Sequence, residues 1–191
     1  MKVLLVNGSQ NAKGTTNESL GIVAKELNAQ GIETEIYQPC PKIYQFDPAC
    51  LDEAVKKVNE ADAFVFGSPV HYAATSGSFS CFMDALFGRK DAELAFKPAA
   101  AIAVERRAGG SATLDEMQKY FLFKQMPIVS SNYWNIVHAR TADKVAADEE
   151  AVQTLRILGK NMGWMLNCLK AGKEAGVKIP EQEEKINSVY R

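Results

Sequence analysis

Near the N-terminus, Lys2-Val3-Leu4-Leu5-Val6-Asn7 carries four apolar residues in unbroken succession. A strand with one wet face alternates apolar and polar residues, so this run predicts a strand covered on both faces, and therefore a parallel sheet. Parallel strands need crossover connections, and a helix is expected next. Leu20, Val23, Ala24 and Leu27 recur at the spacing of one helix face, and Gly31 follows as a stop. Residues 32–37 alternate and predict a strand near the sheet edge, before a loop holding Pro39, Pro41 and Pro48. Residues 51–59 predict a helix, and Ala63-Phe64-Val65-Phe66 a second fully buried strand. The alternation continues with a helix over 78–87, a strand over 99–104, a helix over 112–124 with Leu114, Met117 and Phe121 inward, and a short strand over 127–130. A long helix over 148–170 closes the series, with Val152, Leu155, Leu158, Met162, Met165, Leu166 and Leu169 on one side. Five strands alternating with helices define the α/β class, a doubly wound five-stranded parallel sheet with helices on both faces. Such sheets bind ligands outside the carboxyl ends of their strands.

The length of 191 residues suits one domain, expected over 1–171. Residues 172–191, rich in Glu and Lys and broken by Gly176 and Pro180, are expected to form a surface or interface arm. Lys and Arg total 22 against 23 Asp and Glu, which argues against nucleic acid or an anionic membrane as partner. The longest stretch free of these charges, residues 63–83, is interrupted by Gly67, Pro69, His71, Ser76 and Gly77 and predicts no membrane helix. The apolar run at residues 3–6 is too short for a signal peptide, so the expected compartment is the cytoplasm. Cys40, Cys50, Cys81 and Cys168 show no paired spacing and are expected to be thiols, with Cys81 and Cys168 on apolar helix faces in the core.

Three loops follow the predicted buried strands. The first, Gly8-Ser9-Gln10-Asn11-Ala12-Lys13-Gly14-Thr15-Thr16-Asn17, is rich in hydroxyls and amides, has one cation, and ends at a helix N-terminus. That is the composition of a phosphate site. Its Lys13-Gly14-Thr15 order is not a Walker loop, and the Gly-x-Gly-x-x-Gly dinucleotide pattern is absent. A plain polar turn capped by Thr15 or Thr16 is the competing reading. The second loop holds Pro69, Val70, His71 and Tyr72 among small residues and could seat a planar ring. Its competing reading is a surface histidine and a packed tyrosine. The third, Glu105-Arg106-Arg107-Ala108-Gly109-Gly110, can bind an anion or neutralise an electron-rich ring, against the alternative of a solvated charged turn. All three at one sheet edge point to a phosphorylated planar ligand.

These residues resemble the NADPH-dependent FMN reductase family of flavodoxin-like oxidoreductases, including the branch near the iron-sulfur flavoproteins. Gly8-Ser9 with Lys13-Gly14-Thr15-Thr16-Asn17 is similar to that family's FMN phosphate loop, and Gly67-Ser68-Pro69-Val70-His71-Tyr72 to its flavin-ring loop. Glu105-Arg106-Arg107-Ala108-Gly109-Gly110, with Thr113-Leu114 and Tyr120-Phe121-Leu122 behind it, is similar to its other ring-contacting loop. The stretch Asn132-Tyr133-Trp134-Asn135-Ile136-Val137-His138 resembles a segment of one branch.

The resemblance implies a strand order 2-1-3-4-5, bound FMN, NAD(P)H as co-substrate, a small-molecule acceptor, and a homodimer or homotetramer with the flavin near the subunit interface. The implied cofactor residues are Ser9, Gln10, Lys13, Gly14, Thr15, Thr16, Asn17, Pro69, Val70, His71, Tyr72, Glu105, Arg106, Arg107, Gly109 and Gly110. No catalytic side chain is expected, since a flavin carries the redox chemistry. Iron-sulfur flavoproteins carry four clustered cysteines after the second strand. Here only Cys40 and Cys50 stand in that region, with Ile43 and Phe46 near the middle positions, so neither a cluster nor another metal is expected. The competing functions are a non-enzymatic electron carrier and a flavin-free phosphate-ligand sensor.

Overall fold

A computed structural model describes residues 1–39, 48–183 and Ile186. Its strands are β1 (Lys2–Asn7), β2 (Glu33–Tyr37), β3 (Ala63–His71), β4 (Ala74–Thr75), β5 (Ala99–Glu105) and β6 (Ile136–His138). The helices are α1 (Thr15–Ala29), α2 (Pro48–Glu60), α3 (Gly77–Gly88), α4 (Gly110–Phe123) and α5 (Glu149–Glu174), with a short 3₁₀ turn at Ala142–Ala147. The sheet order is β2-β1-β3-β5-β6, parallel throughout, and β4 pairs antiparallel with β3. Apart from β4, this is the expected 2-1-3-4-5 order.

The apolar runs explain themselves once the two faces are separated. Leu4, Val6, Phe64, Phe66, Ala101 and Ala103 belong to a core shared with α2, α3 and α4. Their alternate neighbours Val3, Leu5, Val65, Ile102 and Val104 belong to a second core with α1 and α5. Neither face of β1, β3 or β5 is wet, so none of these strands alternates. β2 is the sheet edge, as its alternating sequence predicts. On the first face, the Phe66 ring packs 5.4 Å from Phe121 and 5.8 Å from Phe87, in tilted aromatic geometry.

Three expectations need correction. The fifth strand is Ile136–His138, whereas the segment 127–130 pairs with the sheet only through an isolated bridge of Ile128 to Ala99, in which Ala99 N–H donates to Pro127 O and Val129 N–H to Ala99 O, both at 2.9 Å. The chain leaves the ladder there because Asn161 donates to the Ser130 carbonyl at 2.8 Å and the Ser131 hydroxyl to the Thr154 carbonyl at 2.6 Å, tying it to α5. It returns where Asn135 donates to Ala101 O at 3.0 Å, leaving Tyr133 and Trp134 exposed between.

Cys81 and Cys168 are free but exposed, on the outer sides of helices whose other faces fill the core. Cys50 is disulfide-bonded rather than a thiol. The expectations for Cys40, Ile43 and Phe46 lie outside the described residues. No described helix is long and apolar enough to cross a membrane.

Candidate functional site

The exit from β1 is shaped by its own short polar side chains. Buried Asn7 accepts the Ser9 N–H on Oδ1 at 3.0 Å. Ser9 Oγ then accepts from Asn11 N–H at 3.1 Å, and Asn11 Oδ1 from Lys13 N–H at 3.0 Å. These successive turns deliver the chain to Gly14, the N-cap of α1, where no side chain caps the helix. The expected capping role of Thr15 or Thr16 is therefore not what is built. The first amides of α1 lack helical partners, and the positive end of the helix dipole lies there. Gly8 N–H donates to Gly67 O at 2.8 Å, which keeps this loop against β3. A Cβ at Gly8 would lie 2.4 Å from the Phe79 ring.

Beyond Phe66 the chain does not become a loop at once. β3 runs on to His71 and folds back through Tyr72 and Ala73 into β4, with His71 opposite Ala74. Both turn residues have positive φ, 53° and 62°, in a tight hairpin that Gly or Asn would adopt more easily. Tyr72 is fully exposed at its tip. Glu116 of α4 secures the return arm, accepting from Thr75 N–H at 3.0 Å and from the Ser80 hydroxyl at 2.9 Å. Gly109, at φ 105°, presses against the hairpin, since a Cβ there would lie 2.5 Å from Ala73 Cα. The second and third loops are thus in van der Waals contact.

Glu105 closes β5 as a buried carboxylate with its ligands inside the protein. It accepts from Gly110 N–H at 2.6 Å and faces His138 Nε2 at 2.8 Å. His138 N–H in turn donates to Asp148 Oδ2 at 2.8 Å, and Asp148 caps α5 by accepting from Ala151 N–H at 3.1 Å. This chain of contacts fixes the starts of α4 and α5 beside the strand ends.

The four strand exits enclose a cavity of about 220 Å³. Its lining brings together Ser9, Asn11, Gly14, Thr15 and Thr16 from the first loop, Pro69 and Val70 from the hairpin, Val104, Glu105 and Arg106 from β5, and Ala139 and Arg140 after β6. Of the expected residues, Gln10, Lys13, Asn17, His71, Tyr72, Arg107, Gly109 and Gly110 are not part of that lining. Gly109 and Gly110 act behind it, and Tyr72 stands free above it. Sequence reading missed Asn11, Val104, Ala139 and Arg140. The last two follow the true fifth strand and became visible only with its register.

Ion pairs among the described residues include none at Arg106, Arg107 or Arg140. Asn7 Nδ2, at the root of the first loop, is buried without a hydrogen-bond partner. A larger cavity of about 440 Å³ lies between α3 and α4, lined by Asp84, Phe87, Gly88, Glu116, Lys119, Tyr120 and Phe123. It lies away from the strand ends, and burial together with the Asp84 carboxylate raises the Tyr120 hydroxyl pKa. The smaller cavity lies at the strand ends, where the start of α1, the hydroxyls of Ser9, Thr15 and Thr16, and the side chains of Arg106 and Arg140 line one space. No group of three or more metal-binding side chains occurs among the described residues.

The family model for NADPH-dependent FMN reductase matches residues 1–141. The chain belongs to that family. It is a flavodoxin-like flavoprotein oxidoreductase that depends on FMN. The chain is 28% identical to an iron-sulfur flavoprotein of Methanocaldococcus jannaschii, over 89% of this chain and 100% of that protein. Among solved structures it resembles RosB with bound 8-demethyl-8-formylriboflavin-5'-phosphate, at TM-score 0.72 and 13% identity, covering 100% of this chain and 95% of RosB. The flavoenzyme NAD(P)H:(acceptor) oxidoreductase FerB of Paracoccus denitrificans matches at TM-score 0.63 and 14% identity, over 84% of this chain and 96% of FerB. At these identities the structural likenesses establish the fold.

Proposed function

We propose that this FMN reductase family member oxidises NAD(P)H and passes the electrons to a small-molecule acceptor. The chemistry that bound FMN supplies is hydride transfer in two alternating half-reactions, from NAD(P)H and then to a quinone, an azo or nitro compound, a metal ion or free flavin. The observation that carries the reading is the cavity itself, where the uncapped N-terminus of α1 meets Arg106 and Arg140 beneath an exposed tyrosine hairpin. This donor set of helix-terminal amides, hydroxyls and two arginines fits a phosphorylated cofactor.

Within this reading Ser9, Thr15 and Thr16 hold the phosphate, with Gln10, Lys13, Gly14 and Asn17 around them. Pro69, Val70, His71 and Tyr72 bound the ring on one side, and Arg106, Arg107, Gly109 and Gly110 on the other, while Glu105 positions the latter loop. The exposed Tyr133 and Trp134 support a homodimer or homotetramer, and we place the protein in the cytoplasm. An anaerobic absorption spectrum tests the proposal. Flavin bands that bleach with NADPH or NADH and return with a quinone are expected. Bands indifferent to both nicotinamides would replace the enzyme with an electron carrier, and a colourless protein that takes up no FMN would overturn the site.

A further inference from the structure

We propose that Arg140 is the phosphate-neutralising side chain of the flavin site, delivered to the first loop from the far end of the sheet; this rests on the flavin reading above. A phosphate ester near neutral pH carries more negative charge than the half-unit a helix end offers, so a cation beside it adds attraction that the helix end and its amides do not supply. The first loop's own cation, Lys13, is exposed like Arg140 but stands outside the cavity lining. Arg140 is in that lining, together with Gly14, Thr15 and Thr16.

In the sheet β6 lies three places from β1, yet the chain after it doubles back. Ala139 N–H donates to Glu105 O at 3.0 Å, and the Ala142–Ala147 turn then packs on α1, with Val145 buried in the same core as Leu20 and Val23. That return path carries Arg140 across the strand ends toward the N-terminus of α1. Its guanidinium forms no ion pair among the described residues and remains available. A planar fork of donors suits two phosphate oxygens at once. Arg106 also lines the cavity, but it leaves β5 beside the hairpin and belongs to the ring side of the site.

The discriminating ligand pair is FMN and riboflavin, which share the ring and differ in the phosphate. Flavin fluorescence titrations of the apoprotein should show Arg140→Ala weakening FMN about 10- to 100-fold while leaving riboflavin within about twofold. Arg140→Lys should recover part of the FMN loss. Equal weakening of both flavins, or no change in either, would overturn the assignment of Arg140 while leaving the flavin site intact. Wild-type protein that binds neither flavin would overturn the flavin reading itself and this assignment with it.

Discussion

At the scale of single residues, the glycines of the site are constrained by contact rather than by flexibility. Gly109 combines φ 105° with a Cβ position 2.5 Å from backbone Ala73 Cα, so neither conformation nor space admits a side chain. Gly109→Ala is expected to cost about 1–3 kcal/mol, lowering Tm by roughly 2–4 °C per kcal/mol in a chain this long, and to loosen flavin binding. Gly21, inside α1, meets nothing within 4 Å, and Gly21→Ala should instead stabilise by about 0.5–1 kcal/mol. Paired thermal melts check both, and a neutral Gly109→Ala would mean that the hairpin yields freely. In the sequence, Gly109-Gly110 is legible as a turn but not as a packing contact, because Ala73 lies 36 positions away.

At the scale of elements, the β3–β4 hairpin holds two non-glycine residues in the left-handed region, a conformation costing about 1–2 kcal/mol per residue. It persists because Glu116 and Gly109 clamp its arms from α4 and the neighbouring loop. Tyr72 projects into solvent, so its side chain adds nothing to the core, and under the flavin reading proposed above its placement serves the ring side of the site. Tyr72→Gly should therefore raise Tm by a few degrees while weakening FMN binding, measured by melting and by flavin titration on the same preparation. Loss of stability would show that the ring is a structural prop. Alternation alone does not reveal this hairpin: β3 passes through Gly67, Ser68 and Pro69, residues that ordinarily end a strand.

For the molecule as a whole, the open side of the sheet is closed by charge. Glu35 on edge strand β2 pairs with Lys2 of β1, 2.8 Å away, and with Lys57 of α2. Hydrogen bonds from Lys2 and then Lys57 hold the Glu35 carboxyl below the usual range, and the same bonds raise both lysines. A depressed carboxyl stabilises the fold above its unfolded pKa of about 4.3, and that contribution is lost as pH falls through the lower folded value. The raised lysines stabilise below about 10.4 and lose their contribution as pH climbs through their folded values. Since Glu35 is partly exposed, Glu35→Gln should cost only about 0.5–1 kcal/mol at pH 7. The gap between wild type and variant in urea midpoint should shrink toward pH 3, and a gap independent of pH would exclude this linkage.

The sequence by itself determined the layered α/β architecture, the buried parallel strands and the loops at their carboxyl ends. Each follows from local chemistry: a run such as residues 3–6 must be covered on both sides, and amides and hydroxyls before a helix invite an anion. Only the tertiary structure decided where the fifth strand pairs, that Glu105 turns inward to Gly110 and His138, and that Arg140 returns to α1. The physical reason is range. The fifth strand is placed by Asn135 bonding Ala101 and by α5 holding residues 130 and 131, contacts between segments far apart in the chain.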